Sequence, residues 1–214
     1  MVKIGFKYAF LFFVPAIIFL ISGFKVNSAF FVLSAVFFLL FGFCFYFFRD
    51  PCREIKKDDN IILSPADGTV FEISETDEPH FIKGRARIVK IFLSVFNVHL
   101  QRSPVAGEVK FIKLQDGLIL KANHPDASEK NKQNLVGIDG KIPVLVKQIA
   151  GIIAQRCELW VNMNKKIEQG DKIGVIHFGS QVDIYMPLDI EIKVKNGDKV
   201  AGGLTVIGSA KTPR

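Results

Sequence analysis

Residues 173–187 read Ile173-Gly174-Val175-Ile176-His177-Phe178-Gly179-Ser180-Gln181-Val182-Asp183-Ile184-Tyr185-Met186-Pro187. β-Branched and aromatic residues dominate, apolar and polar positions alternate after Ser180, and a proline closes the run. That is the pattern of a strand with one buried face. Gly179-Ser180 falls inside it, where a glycine weakens pairing without an evident structural return.

Outward from this stretch the same texture continues. Gly68-Thr69-Val70-Phe71-Glu72-Ile73, Ala86-Arg87-Ile88-Val89-Lys90-Ile91-Phe92-Leu93 and Asp189-Ile190-Glu191-Ile192-Lys193-Val194 are short Val/Ile-rich runs between Gly, Asp, Asn and Pro. No segment after Asp50-Pro51 sustains a helical apolar period, so the body is mainly β. Two weak repeats punctuate it. Gly170-Asp171-Lys172-Ile173-Gly174 returns as Gly197-Asp198-Lys199-Val200-Ala201-Gly202, and Pro65-Ala66-Asp67-Gly68-Thr69-Val70 as Pro104-Val105-Ala106-Gly107-Glu108-Val109. Recurring Gly-bearing turns suit a compact barrel or sandwich. The turns resemble those of biotinyl/lipoyl carrier domains, in scaffold only, since no Met-Lys hairpin is present. Residues 121–134 are polar and read as a solvated loop, of a length that in a compact domain often serves function.

The head of the chain is different. Residues 1–48 hold fifteen of the 21 phenylalanines and three lysines, with no acid and no arginine. The uncharged stretches 8–24 and 29–48 reach about 25 and 30 Å as helices, close to the thickness of a bilayer core. Only Lys25-Val26-Asn27-Ser28 separates them, which predicts a transmembrane helical hairpin, with Pro15 kinking its first arm. Lys3, Lys7, Arg49, Arg53, Lys56 and Lys57 flank the hairpin ends, against Lys25 alone in the connection. The positive-inside rule then puts residues 49–214 on the cytoplasmic side of the cell membrane. A cleaved signal peptide is disfavoured by the lack of a small-x-small site before the second run.

The net charge of +7 divides into +3 for the anchor and +4 for the body. A mild basic excess behind an apolar anchor suits an anionic membrane surface, whereas nucleic-acid binding calls for basic residues interleaved with stacking aromatics, which are missing. Cys44, Cys52 and Cys157 form neither a CxxC pair nor a Cys/His cluster, so no disulfide framework or metal site is predicted, and all three read as reduced fillers.

Five further motifs join Phe178-Gly179-Ser180. They are Phe47-Phe48-Arg49-Asp50-Pro51-Cys52-Arg53, Ser64-Pro65-Ala66-Asp67-Gly68, Phe96-Asn97-Val98-His99-Leu100-Gln101-Arg102-Ser103-Pro104, Asp126-Ala127-Ser128-Glu129, and the paired apolar spans. Together they resemble the short-form phosphatidylserine decarboxylases over nearly the whole chain. The resemblance implies a proenzyme that cuts itself between Gly179 and Ser180 into fragments 1–179 and 180–214, which stay together as a heterodimer. It implies that Ser180 becomes a pyruvoyl group, with no pyridoxal phosphate and no metal. The serine amine of the phospholipid condenses with that group as a Schiff base, carbon dioxide leaves, and phosphatidylethanolamine is released.

By the same resemblance His99 falls where the family has an active-site histidine, and Asp67 where it has an acid that orients the base. Longer relatives carry a second histidine three residues on, where this chain has Arg102. Either His99 serves both self-cleavage and decarboxylation, or another group drives the cut. From strand alternation His177 points away from Ser180. Arg102, His124 and His177 are candidate headgroup contacts. Three rivals stand beside this reading: a non-enzymatic, membrane-tethered carrier-like adaptor, a serine hydrolase using Ser180 with His99, and a decarboxylase of an archaeal-type phosphoserine lipid. The hydrolase lacks the Gly-x-Ser-x-Gly elbow.

Overall fold

The computed structural model describes residues 1–118, 120, 127–151, 156–177 and 180–211. The chain forms two compact units, Met1–Cys52 and Arg53–Arg214.

The first unit is a pair of antiparallel helices, α1 (Lys3–Lys25) and α2 (Phe30–Phe47). Small residues make the contact possible: Gly5, Ala9, Ala16 and Gly23 are the buried positions of α1, and a Cβ on Gly5 or Gly23 would strike Phe48 or Phe31. Close backbone approach through small residues is how helices associate where water supplies no hydrophobic drive. The Ser34 hydroxyl donates to the Ala16 carbonyl at 2.9 Å, and Phe13 packs on Phe41 with ring centres 5.3 Å apart. The Asn27 side chain accepts from the Ala29 N–H at 2.8 Å and turns the chain. The Val2 N–H donates to the Phe48 carbonyl at 2.9 Å, so both ends of the hairpin meet. Helices of 23 and 18 residues are about 34 and 27 Å long, enough to cross a bilayer. Phe10, Leu39 and other large apolar side chains point outward. α1 begins five residues before the uncharged run and takes Pro15 into its interior.

The second unit is mainly β. Its elements run β1 (Ile61–Leu63), β2 (Gly68–Glu78), β3 (Gly84–Leu93), β4 (Leu100–Arg102), β5 (Gly107–Gln115), the short helix α3 (Ala127–Lys130), β6 (Gln133–Asp139), β7 (Val144–Ala150), β8 (Cys157–Leu159), β9 (Lys166–Ile167), β10 (Lys172–Ile176), β11 (Ser180–Pro187), β12 (Glu191–Ile192), β13 (Lys199–Val200) and β14 (Val206–Ser209). Among the described residues an eight-stranded sheet has the order β13-β2-β3-β11-β7-β6-β5-β9, with three-stranded sheets β4-β10-β8 and β1-β14-β12 beside it. The pairings are antiparallel.

β11 sits in the middle of the large sheet. Val182, Ile184 and Met186 join the main core with Val89, Ile91 and Leu93 of β3 and Val146 of β7. Tyr185, on the opposite face, joins a second cluster with Ala86, Ile88, Leu135 and Leu145. Because both faces are covered, the strand is buried from Ser180 to Met186.

Three expectations change. Residues 173–187 are not one strand: β10 ends at Ile176 and pairs with β4 and β8, whereas β11 starts at Ser180 and pairs with β3 and β7. The apolar pattern runs on because both strands are buried, although they lie in different sheets, so alternation does not carry from His177 to Ser180. The polar run 121–134 is not all solvated loop, since Ala127–Lys130 is helical and Gln133 and Asn134 are buried in β6. Hydrogen bonding rather than apolarity admits those two amides. Cys52 is exposed and fills no core, unlike Cys44. The Gly-Asp-Lys repeat has a backbone cause, as Gly170 and Gly197 take φ of +88° and +92°, left-handed turns from which β10 and β13 follow.

Gly107 opens β5 against the Asp139 carbonyl and the Gly140 Cα, where a Cβ would come within 2.8 Å of backbone. Gly107→Ala is expected to lower stability by about 1–3 kcal/mol through overpacking, read as a shifted urea midpoint with an unchanged slope.

Candidate active site

Strand register gathers the candidate residues at one end of the large sheet. Ser180 lies opposite Leu93 on one side and Ala150 on the other, while Gln181 and Thr69 both face Phe92 from either side of β3. The first residue of β11, the last of β3 and β7, and the start of β2 therefore share an edge. Asp67 immediately precedes β2, and the chain leaving β3 at Leu93 reaches His99 before entering β4. The Ile176 N–H donates to the His99 carbonyl at 3.1 Å, and the Arg102 N–H to the Pro65 carbonyl at 2.9 Å. These bonds bring 99–102 beside both the end of β10 and the Ser64–Asp67 segment.

Ser180 is fully buried, and its hydroxyl has no hydrogen-bond partner among the described residues. Leaving a buried hydroxyl unsatisfied costs about 1–3 kcal/mol, a cost usually met where the group has a chemical use. The residue starts a strand that continues as strand, not the strand-to-helix elbow that carries the nucleophile in α/β-hydrolases.

His99 is 1% exposed, and its Nδ1 lies 3.0 Å from the Asn97 carbonyl. A carbonyl accepts only from N–H, which puts a proton on Nδ1; in the neutral ring the lone pair is then on Nε2, the form able to act as a base. The ring's backbone is held by a row of buried amides that strand patterning did not reveal. Gln101 Nε2 donates to the His99 carbonyl at 2.8 Å, Gln148 Nε2 to Gln101 Oε1 at 2.8 Å, and Asn134 Nδ2 to Gln148 Oε1 at 3.1 Å. Gln148 faces Val182 in the ladder, so the row ties the small sheet bearing His99 to the large sheet bearing Ser180. Polar residues inside otherwise apolar runs, as in Val144-Leu145-Val146-Lys147-Gln148-Ile149, are the signal that could have found it.

Asp67 bonds to Arg53 and to the backbone of Gly202. Its carboxylate makes a two-pronged pair with Arg53, Nη1 to Oδ1 at 2.7 Å and Nη2 to Oδ2 at 2.8 Å, and Oδ1 also accepts from the Gly202 N–H at 2.8 Å. Arg53 donates in addition to the Gly202 carbonyl. A planar guanidinium matches a carboxylate edge to edge and fixes its orientation. Arg102 is 8% exposed and donates to the Gly170 carbonyl at 3.1 Å. His177 is 2% exposed, and its Nε2 lies 3.6 Å from Glu158 Oε1. His124 and Gly179 lie outside the described residues. Among the described residues no three His, Cys, Asp or Glu side chains gather as a metal-binding group.

Comparison with known proteins supplies the family. The family model for phosphatidylserine decarboxylase matches residues 40–208. The chain belongs to the phosphatidylserine decarboxylase family. The phosphatidylserine decarboxylase proenzyme of Symbiobacterium thermophilum is 44% identical over 168 residues, 78% of each chain. That of Carboxydothermus hydrogenoformans is 43% identical over 183 residues, 85% of this chain and 86% of its own. That of Geotalea daltonii is 36% identical over 193 residues, 89% and 87%. Membership makes the chain an enzyme of a decarboxylase family rather than a carrier-like adaptor, and the family model spans Asp67, His99 and Ser180 alike.

Electrostatics sets one measurable property of this decarboxylase-family site. Burial pulls His177 below its ordinary value of 6.5, with Arg156 adding to the effect and Glu158 opposing it. The unfolded chain then binds the proton more readily than the folded one, so stability falls as pH drops below about 6.5. Urea titrations between pH 5 and 7.5 should show that loss, and His177→Gln should flatten it.

Proposed function

We propose that the chain is a phosphatidylserine decarboxylase that makes its own pyruvoyl group by cutting between Gly179 and Ser180. The observation that carries the reading is the Ser180 hydroxyl, buried without a hydrogen-bond partner among the described residues at the first position of the central strand, in a chain of this family.

The cut begins when the Ser180 Oγ attacks the Gly179 carbonyl carbon and the acyl group moves from nitrogen to oxygen. An aliphatic hydroxyl needs a base to take its proton, and His99, with the lone pair on Nε2, is the group proposed for that role. Loss of the Ser180 α-proton expels the carboxylate of fragment 1–179 and leaves a dehydroalanine at residue 180. Its nitrogen leaves as ammonia on hydrolysis, and a ketone remains at the head of fragment 180–214. Both fragments stay associated because β11 pairs along its length with β3 and β7 of the larger one.

The residues present suit such a group. Ser180 is the ladder partner of Leu93 and Ala150, in an environment from which water is excluded. When formed, the group supplies an electrophilic carbonyl that takes up the lipid amine and the electron pair released with carbon dioxide. His99 is the group proposed to return a proton after decarboxylation, and the Asp67–Arg53 pair holds the turn that leads into β2. The substrate is a serine-headed phospholipid reached from the bilayer in which the helical hairpin lies, and the catalytic unit sits on the cytoplasmic side.

Mass spectrometry of the purified protein should find a fragment beginning at residue 180 as a pyruvoyl group and ending at Arg214. Ser180→Ala should stay a single chain of about 24 kDa and release no carbon dioxide from phosphatidylserine; a fragment in that variant would sink the assignment. Borohydride should abolish the activity of the cut enzyme. Protease added to inverted membrane vesicles should digest residues 53–214, and resistance there would reverse the sidedness.

A further inference from the structure

β11 has two chemically different faces. Ser180, Val182, Ile184 and Met186 alternate towards the main core, while Gln181, Asp183 and Tyr185 occupy the other side. That second side is apolar around Tyr185. At its Ser180 end it instead carries Gln181, 1% exposed, and Asp183, with no exposure.

Gln181 spends both hydrogens of its amide here: Nε2 donates to Ser128 Oγ at 2.7 Å and to Asp183 Oδ1 at 2.5 Å. Two acceptors on the nitrogen side leave one orientation for the amide. Ser128 belongs to α3, which three other side chains fasten to the sheet. Lys147 Nζ donates to the Ser128 carbonyl at 3.1 Å, and Gln133 and Gln115 donate to the Glu129 carbonyl at 3.2 and 3.4 Å. Burial pushes the Asp183 acid up, against the Gln181 hydrogen bond and the Lys147 charge. A set of buried polar groups is costly beside an apolar filling of the same shape, so its retention beside residue 180 calls for a use.

The Gly179–Ser180 cut proposed above provides one, and this inference rests on that reading. Before the cut, residue 180 is held through the chain on both sides. Afterwards it is a chain end, tied only through Gln181 and the ladder bonds of β11, and chain ends fray unless fastened. We infer that Gln181 is a positioning residue, latched to Ser128 and steered by Asp183, that holds residue 180 in place after cleavage and so serves decarboxylation more than the cut.

The test separates the two reactions in the full-length protein in detergent, with cleavage followed on denaturing gels and decarboxylation by carbon dioxide release from phosphatidylserine. Gln181→Ala and Ser128→Ala should each cut within about threefold of the parent rate while kcat falls about tenfold, what one hydrogen bond of ordinary net strength is worth. KM should move little. The two effects should be less than additive in the double variant, since the Gln181–Ser128 bond is lost in each single one. Ser128→Thr keeps the hydroxyl and should restore kcat, which a merely structural loss would not allow. An unchanged kcat in the single variants, or cleavage and kcat falling in the same proportion, would overturn the inference. If Gln181→Ala does not fold, Ser128→Ala against Ser128→Thr decides. A parent protein that neither cuts nor decarboxylates would instead defeat the functional reading.

Discussion

The pairing of β11 with β3 and β7 is the constraint on which the rest of the catalytic unit depends. It covers Ser180 on both edges, aligns it with Leu93 and Ala150, and puts its side chain on the core face. A residue held that way is shut off from water and from casual hydrogen-bond partners. Those are the conditions under which a weak nucleophile beside a base can react with its own backbone and with little else. The same ladder would keep the two fragments together after the proposed cut, so that one set of backbone hydrogen bonds would serve both maturation and the mature enzyme.

Around that strand the unit spends polar groups where a simpler β domain would place leucines. On the core side Asn134, Gln148 and Gln101 form a row that reaches the His99 carbonyl; on the other side Gln181 joins Asp183 to Ser128. Each amide in these rows is satisfied along a fixed direction. Such networks define a single arrangement more sharply than apolar packing, which tolerates sliding. Asp67 follows the same logic with charge, being fully engaged by Arg53 and the Gly202 N–H. That pairing fixes a turn at the site's edge, while Nδ1 of His99 faces the Asn97 carbonyl.

The helical hairpin is built on a different principle. Its contact face uses glycine, alanine and serine, and its outward face uses phenylalanine and leucine, the reverse of a water-soluble helix pair. That arrangement was legible residue by residue, because charge is absent from long runs and lysines mark their ends. So was the strand content of the body, since β-branched alternation is a local property.

By itself the sequence determined the apolar helical hairpin, the mainly β body and the family, and singled out Ser180 as the candidate reactive position, because hydropathy, alternation and motif spacing are written in consecutive residues. Only the tertiary structure decided that Ile176 and Ser180 end and begin strands in different sheets, that Asp67 pairs with Arg53, and that Gln181 reaches Ser128. The physical reason is common to all three. Each depends on which segments, distant in the chain, come within hydrogen-bond reach, and a guanidinium or an amide shows its partner only when the backbone has brought that partner to it.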